Sequence, residues 1–331
     1  MKRLLQTLAI TLGLGLSQAT IAGPYTAHYV FGDSLSDAGN LFVATSGALP
    51  QPGDYYNGHF SNGTSYAERI SLGLGLPGGA TPSYLGGTNY AVGGALTDAH
   101  ILNTPQANAA FSLQGQMQSY FSSHATSDPN ALYTMWIGSN DLFQALELFS
   151  LGQAAAAQSR IADSVGDIAA ALGQLVGSGA RNLLLPTITD LGLTPRVAAA
   201  GPMAQAAASQ VVMDFNAAID AVLASLSGAV PGLNVVRFDT FNLLREVAAN
   251  ASDYGFTDMS ACISGFVGIP SQTPACINPD QHLFWDDIHP TSATAEILAD
   301  RTLAALVPAP ATLALALLAL GIVGVQRRRP G

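Results

Sequence analysis

The sequence predicts an α/β fold: one parallel, doubly wound sheet flanked by helices. Two observations carry this expectation. Short apolar, β-rich runs alternate with longer segments of helical pattern, and strands separated by helices need crossovers, which make them parallel. Between about Gly23 and Val307 no long Pro/Ser/Gly linker and no internal repeat interrupts the pattern, so that stretch reads as a single domain.

The elements follow in order. His28 to Phe31 reads as a strand and Ser65 to Leu74 as a helix, while Tyr90 to Val92 offers a short strand. Ser112 to Ser123 is helical, Leu132 to Ile137 a strand, and Ala154 to Val176 a long Ala-rich helix. Leu183 to Leu185 is a strand, Ala204 to Leu226 a helix, Val235 to Phe238 a strand and Phe241 to Asn250 a helix. Thr291 to Leu306 closes the domain as a helix. In such sheets, ligand sites lie beyond the carboxyl ends of the strands.

The two ends read differently. Lys2 and Arg3, the apolar stretch Leu4 to Leu16 and the small residues of Thr20-Ile21-Ala22 have the order of a secretory signal peptide. Cleavage is expected after Ala22, removing residues 1–22. At the other end, Val307-Pro308-Ala309-Pro310 precedes an apolar run from Ala311 to Val325 and the cluster Arg327-Arg328-Arg329. As a helix the run would reach roughly 23 Å, against a hydrocarbon core of about 30 Å. Local thinning, or inclusion of Pro308 to Pro310, closes the gap. The arginines should stay cytoplasmic. Residues 308–331 resemble a PEP-CTERM sorting tail, with one departure: Ala309 stands where that pattern has Glu. A sorting protease is the partner such a tail implies, and a permanent membrane anchor is the alternative. Both imply export across the inner membrane, to the medium or the cell surface.

Five of the twelve basic residues lie in these ends, together with none of the 22 carboxylates. The domain between them keeps seven arginines and no lysine, an excess of fifteen negative charges. That surface repels nucleic acid and anionic headgroups and favours neutral substrates. Cys262 and Cys276, an even pair in an exported chain, read as a disulfide. Closing a loop of about fifteen residues would stabilise by ~3 kcal/mol in the chain-entropy model. The histidines lack metal-ligand spacing, so neither a metal nor another cofactor is expected. Gly73-Leu74-Gly75-Leu76-Pro77-Gly78 has the spacing of a dinucleotide loop, but it ends a helix and contains Pro, which argues against that reading.

The chemistry concentrates in a few segments. Phe31-Gly32-Asp33-Ser34-Leu35-Ser36-Asp37 directly follows the first strand, which presents the Ser34 hydroxyl at the sheet's carboxyl edge, with a helix N-terminus expected nearby. Residue 36 is Ser, so this is not a Gly-x-Ser-x-Gly elbow. Asn89-Tyr90-Ala91-Val92-Gly93-Gly94-Ala95 and Gly138-Ser139-Asn140-Asp141 each follow a strand or possible strand, and Asp286-Asp287-Ile288-His289-Pro290-Thr291 leads into the last helix. Asp286 and Asp287 are both candidates to partner His289.

These four blocks, in this order, resemble the GDSL lipase/esterase family, also called SGNH hydrolases. Gly58-His59-Phe60-Ser61-Asn62-Gly63 looks like a further family segment. The resemblance spans about Tyr25 to Leu306 and implies a flavodoxin-like sheet and hydrolysis of small-molecule or lipid esters through an acyl-enzyme. It implies Ser34 as nucleophile, His289 as its base and Asp286, favoured by family spacing over Asp287, as the group orienting His289. It also implies an oxyanion hole made by the Ser34 amide, the Gly94 amide and the Asn140 side chain. Removal of acetyl groups from polysaccharide would use the same machinery. A non-catalytic surface protein on a hydrolase scaffold is a further alternative, opposed by the intact set of site residues.

Overall fold

The computed structural model describes residues 24–98 and 109–307. The expected signal peptide, 1–22, and tail, 308–331, lie outside the described residues. In chain order the elements are β1 (His28–Gly32), α1 (Asn40–Ala44), α2 (Tyr66–Gly73), α3 (Leu113–Ser123), β2 (Leu132–Trp136), α4 (Ser139–Ser150) and α5 (Ala154–Ser178). They continue with β3 (Asn182–Pro186), α6 (Pro195–Ala198), α7 (Pro202–Ala229), β4 (Asn234–Phe238), α8 (Thr240–Ala249), β5 (Asp258–Ala261), β6 (His282–Phe284) and α9 (Ser292–Leu306).

Strands β1 to β4 form one parallel sheet in the order β1-β2-β3-β4. Residues 88–92 run along the other edge of β1. There the Val30 amide donates to the Thr88 carbonyl at 3.1 Å, and the Tyr90 amide to the Val30 carbonyl at 2.7 Å. The chain therefore winds first to one side of β1 and later to the other. The direction reverses between β1 and β2, and the crevice beyond their carboxyl ends is where such a fold binds ligands.

Helices on both faces explain why every residue of β2 is buried. Trp136 packs on Tyr66 of α2, with ring centroids 4.7 Å apart, and Tyr133 packs on Tyr120 of α3 across the sheet. His28 of β1 is a satisfied core histidine, bonded to Ser71 and Thr134 at 2.7 Å each. Burial holds its pKa down to about 3, so it is neutral. Helix α2 opens with a capping box between Ser65 and Glu68. Helix α7 buries Ala208, Val212, Phe215, Ile219 and Leu223, a stripe at helical spacing. Each large apolar member of such a stripe contributes about 1.5–3 kcal/mol. Among the described residues, α7 alone is long and apolar enough to cross a bilayer. Its contacts with α4, α5 and β4 make it a packing helix of this domain.

Two features go beyond the sequence-based reading. Helix α4 begins within the Gly138-Ser139-Asn140-Asp141 block, at Ser139, with Leu142 and Ala145 on its buried side. A separate parallel pair, β5–β6, precedes the Asp286 segment. Strands of three and four residues are too short to show a period in sequence. Cys262 and Cys276 form the expected disulfide. Their loop packs with Tyr55 and Trp285, the residue before Asp286.

Candidate active site

Ser34 lies two residues beyond β1, on a single tight turn in which the Ser36 and Asp37 amides both donate to the Asp33 carbonyl. The expected helix follows only at Asn40 and has five residues, so it does not begin at Ser34. Two other segments meet this turn. The Asp286 segment folds back on itself because Asp286 Oδ1 accepts the amides of Ile288 at 2.9 Å and His289 at 2.7 Å. That local ring turns the chain so that the His289 carbonyl accepts the Trp285 amide at 2.8 Å. Thr291, two residues later, caps α9. His289 is thereby fixed between a tight loop and a helix start.

A continuous relay results. Ser34 Oγ lies 2.8 Å from His289 Nε2, and His289 Nδ1 lies 2.7 Å from Asp286 Oδ2. All three residues are buried, Asp286 completely. Burial alone would raise the Asp286 pKa. The His289 ring, the Tyr55 hydroxyl at 2.6 Å and the Ile288 amide outweigh it and hold the carboxyl below its ordinary value. Asp287 points elsewhere and pairs with Arg196 of α6 at 2.7 Å. Phe60, from the Gly58–Gly63 segment, lies with its ring 5.4 Å from that of His289.

Gly94 and Asn140 line the same cleft as Ser34 and His289. Asn140 does not cap α4, whose N-cap is Gly138; its Nδ2 donates to the Ala95 carbonyl at 3.0 Å. That bond ties α4 to the Gly94 loop and leaves the second Nδ2 hydrogen for the cleft. Gly94 has φ +74°, which a side chain would strain. Gly93 is needed for close approach: a Cβ there would overlap the Phe60 ring.

Several supporting residues were not identified from sequence. Asp37, fully buried, accepts the Gly93 amide at 2.8 Å. Asn40 donates to the carbonyls of Asn89 and Ala91, and Asn89 donates back to the Ser36 carbonyl. These three residues stitch the Ser34 turn to the Gly94 loop. On the far side, Asp141 accepts from Thr97 and from Arg160, which also bonds Asp98 at 2.9 Å. Tyr55 is the third such addition. The polar residues Asp37 and Asn40, just after the motif, were the available signal for the first of these clusters.

Asp33 stands apart. It is 1% exposed, its Oδ1 accepts the Leu35 amide, and its Oδ2 has no hydrogen-bond partner. Burial pushes its pKa up to about 7, against the pull of the Leu35 amide and of His289. An unfolded Asp titrates near 3.9, so between roughly pH 4 and 7 the folded chain holds a proton that the unfolded chain has lost. Stability must therefore fall as pH rises through that window, by on the order of 4 kcal/mol from this group. Asp33→Asn removes the titration while keeping an acceptor for Leu35. Urea unfolding should show the variant gaining a few kcal/mol relative to the parent between about pH 4.5 and 8. Parallel pH profiles for the two chains would refute this.

Comparison with known proteins agrees with the geometry. Residues 29–302 match the model of the GDSL-like lipase/acylhydrolase family. A GDSL esterase/lipase of Arabidopsis thaliana is 30% identical over 321 residues, covering 82% of this chain and 84% of that protein. Lipase 1 of Photorhabdus luminescens is 31% identical over 237 residues, covering 69% of this chain but only 30% of that longer protein. Among solved structures, the acetylxylan esterase Axe2 of Geobacillus stearothermophilus is a distant likeness: 14% identity and TM-score 0.45, covering 86% of this chain and 96% of that one. That level of similarity says nothing of substrate. The chain belongs to the GDSL-like lipase/acylhydrolase family and is a carboxylic ester hydrolase.

Proposed function

We propose that Ser34, His289 and Asp286 carry out the hydrolysis, through an acyl-enzyme. The observation behind this reading is the relay of hydrogen bonds at 2.8 and 2.7 Å that joins them. Ser34 Oγ attacks the ester carbonyl carbon while His289 Nε2 takes the hydroxyl proton. Asp286 keeps the other ring nitrogen protonated and stabilises the imidazolium. The tetrahedral oxyanion accepts from the amides of Ser34 and Gly94 and from Asn140 Nδ2. Neither amide donates to another group among the described residues. Collapse of the intermediate expels the alcohol, which takes the proton from His289. Water then attacks the acyl-enzyme, giving its proton to His289, and the acid leaves as that proton returns to Ser34.

Ser34→Ala should abolish ester hydrolysis without unfolding the chain. Asn140→Ala should lower kcat by roughly 10²- to 10³-fold with little change in KM, because an oxyanion donor acts in the transition state. Steady-state kinetics on a p-nitrophenyl ester reads both. Substantial turnover by Ser34→Ala, or an Asn140→Ala effect confined to KM, would refute the assignments.

We further propose that the chain is exported, cleaved after Ala22 and handled at the inner membrane through residues 308–331. The Cys262–Cys276 disulfide supports this, since such bonds persist in oxidising compartments. Intact-mass measurement on protein from its native host should give a chain beginning at Gly23. A terminus near Pro310 supports a sorting protease, and an intact Arg327–Gly331 end in the membrane fraction supports an anchor. A mature chain that retains Met1 to Ala22 would contradict the export reading.

A further inference from the structure

The cleft in front of Ser34 holds about 1160 Å³, slightly more than the usual 300–1,000 Å³ of small-ligand pockets. It is far larger than an acetyl or butyryl group needs. Two helices wall it. From α4 come Phe143, Leu146 and Phe149; from α7 come Ala204, Ala207 and Val211. The α7 row repeats at helical spacing and is made mainly of alanines, so the space opposite the α4 aromatics exists because side chains are missing there. Phe266 and Val267, from the disulfide-closed loop, extend the apolar wall.

The direction of the groove follows from α4. That helix begins at the site with Asn140 and runs outward to Phe149, nine residues on, which is about 14 Å along the axis. With about 1.3 Å gained per bond in an extended hydrocarbon, that distance matches roughly ten carbons. A sugar backbone would need hydrogen-bonding partners along this length; beyond Asn140, Gln144, Ser150 and Gln210 are the uncharged polar side chains the two helices add to the lining, and most of the remaining wall is alkyl and phenyl surface. The nearby charges are Asp98, Glu147 and the Arg196–Asp287 pair, which leave no cationic patch for an anionic headgroup.

We infer that the α4–α7 groove is the acyl-chain site and that this hydrolase prefers straight-chain esters of about eight to twelve carbons over acetyl esters. This rests on the esterase reading above and adds the substrate class. Chain length is set by the small residues of α7: Ala204 is half-buried and Ala207 exposed, so both can be enlarged without disturbing the core.

The test is a series of p-nitrophenyl esters from acetate to palmitate, with acetylated xylan alongside, on the parent chain and on Ala204→Phe and Ala207→Asp. The parent should peak near decanoate. In each variant the ratio of kcat/KM for decanoate to that for acetate should fall at least tenfold, the first by filling the groove and the second by placing a charge in it. A parent that favours acetate or acetylated xylan would overturn the inference while leaving the esterase reading intact. So would an unchanged ratio in both variants. Failure to hydrolyse any ester would overturn both readings.

Discussion

The carboxylate of Asp286 is completely enclosed, and an isolated ion in that position would cost several kcal/mol. Four donors make it tolerable: two backbone amides of its own loop on Oδ1, and the Tyr55 hydroxyl and the His289 ring on Oδ2. One side chain therefore does three jobs. It closes the loop that returns His289 to the sheet edge, fixes the ring's orientation and sets its tautomer. The Tyr55 contact extends the dependence further. Its segment is bonded through Asp54 and Gln51 to the loop closed by Cys262–Cys276, so the disulfide braces the carboxylate from behind.

A second set of buried polar groups does for the proposed oxyanion hole what Asp286 does for His289. Asp37, Asn40 and Asn89 bind backbone groups of the Ser34 turn and of the 89–93 strip, converting two loops into one rigid body. Burial pushes the Asp37 pKa up to about 6 against the opposing pull of four backbone amides. Asp141 and Arg160 secure the other flank at Thr97. Preorganised donors of this kind need not rearrange when negative charge develops, which is the main way such sites accelerate acyl transfer. Ser34, Gly94 and Asn140 thus meet at the crevice between β1 and β2, held after β1, after the 88–92 strip and after β2 respectively.

Much of this was legible in the sequence, for a definite reason. Ser34, Gly94, Asn140, Asp286 and His289 sit in short contiguous blocks, so their order along the chain could be matched to the family's, and the resemblance supplied their expected roles. Asp286 could be preferred to Asp287 only through family spacing; in the structure, Asp287 is drawn off by Arg196. The cysteine pair could be read from count and context. The bracing groups could not, because their partners are remote in sequence: Tyr55 meets Asp286 across 231 positions and Asp37 meets Gly93 across 56. Strands β5 and β6 left no period, and the size of the cleft depends on which face α7 turns to α4, which only packing decides.

In the proposed mechanism His289, held by Asp286, activates Ser34 and no other hydroxyl. A fluorophosphonate reacts with a serine activated in this way, and peptide mass spectrometry locates the adduct. One adduct per chain is expected, on the peptide containing Ser34, and it should be lost in His289→Ala. An adduct on a different residue, undiminished labelling of Ser34 in His289→Ala, or no labelling of the folded parent chain would contradict that mechanism.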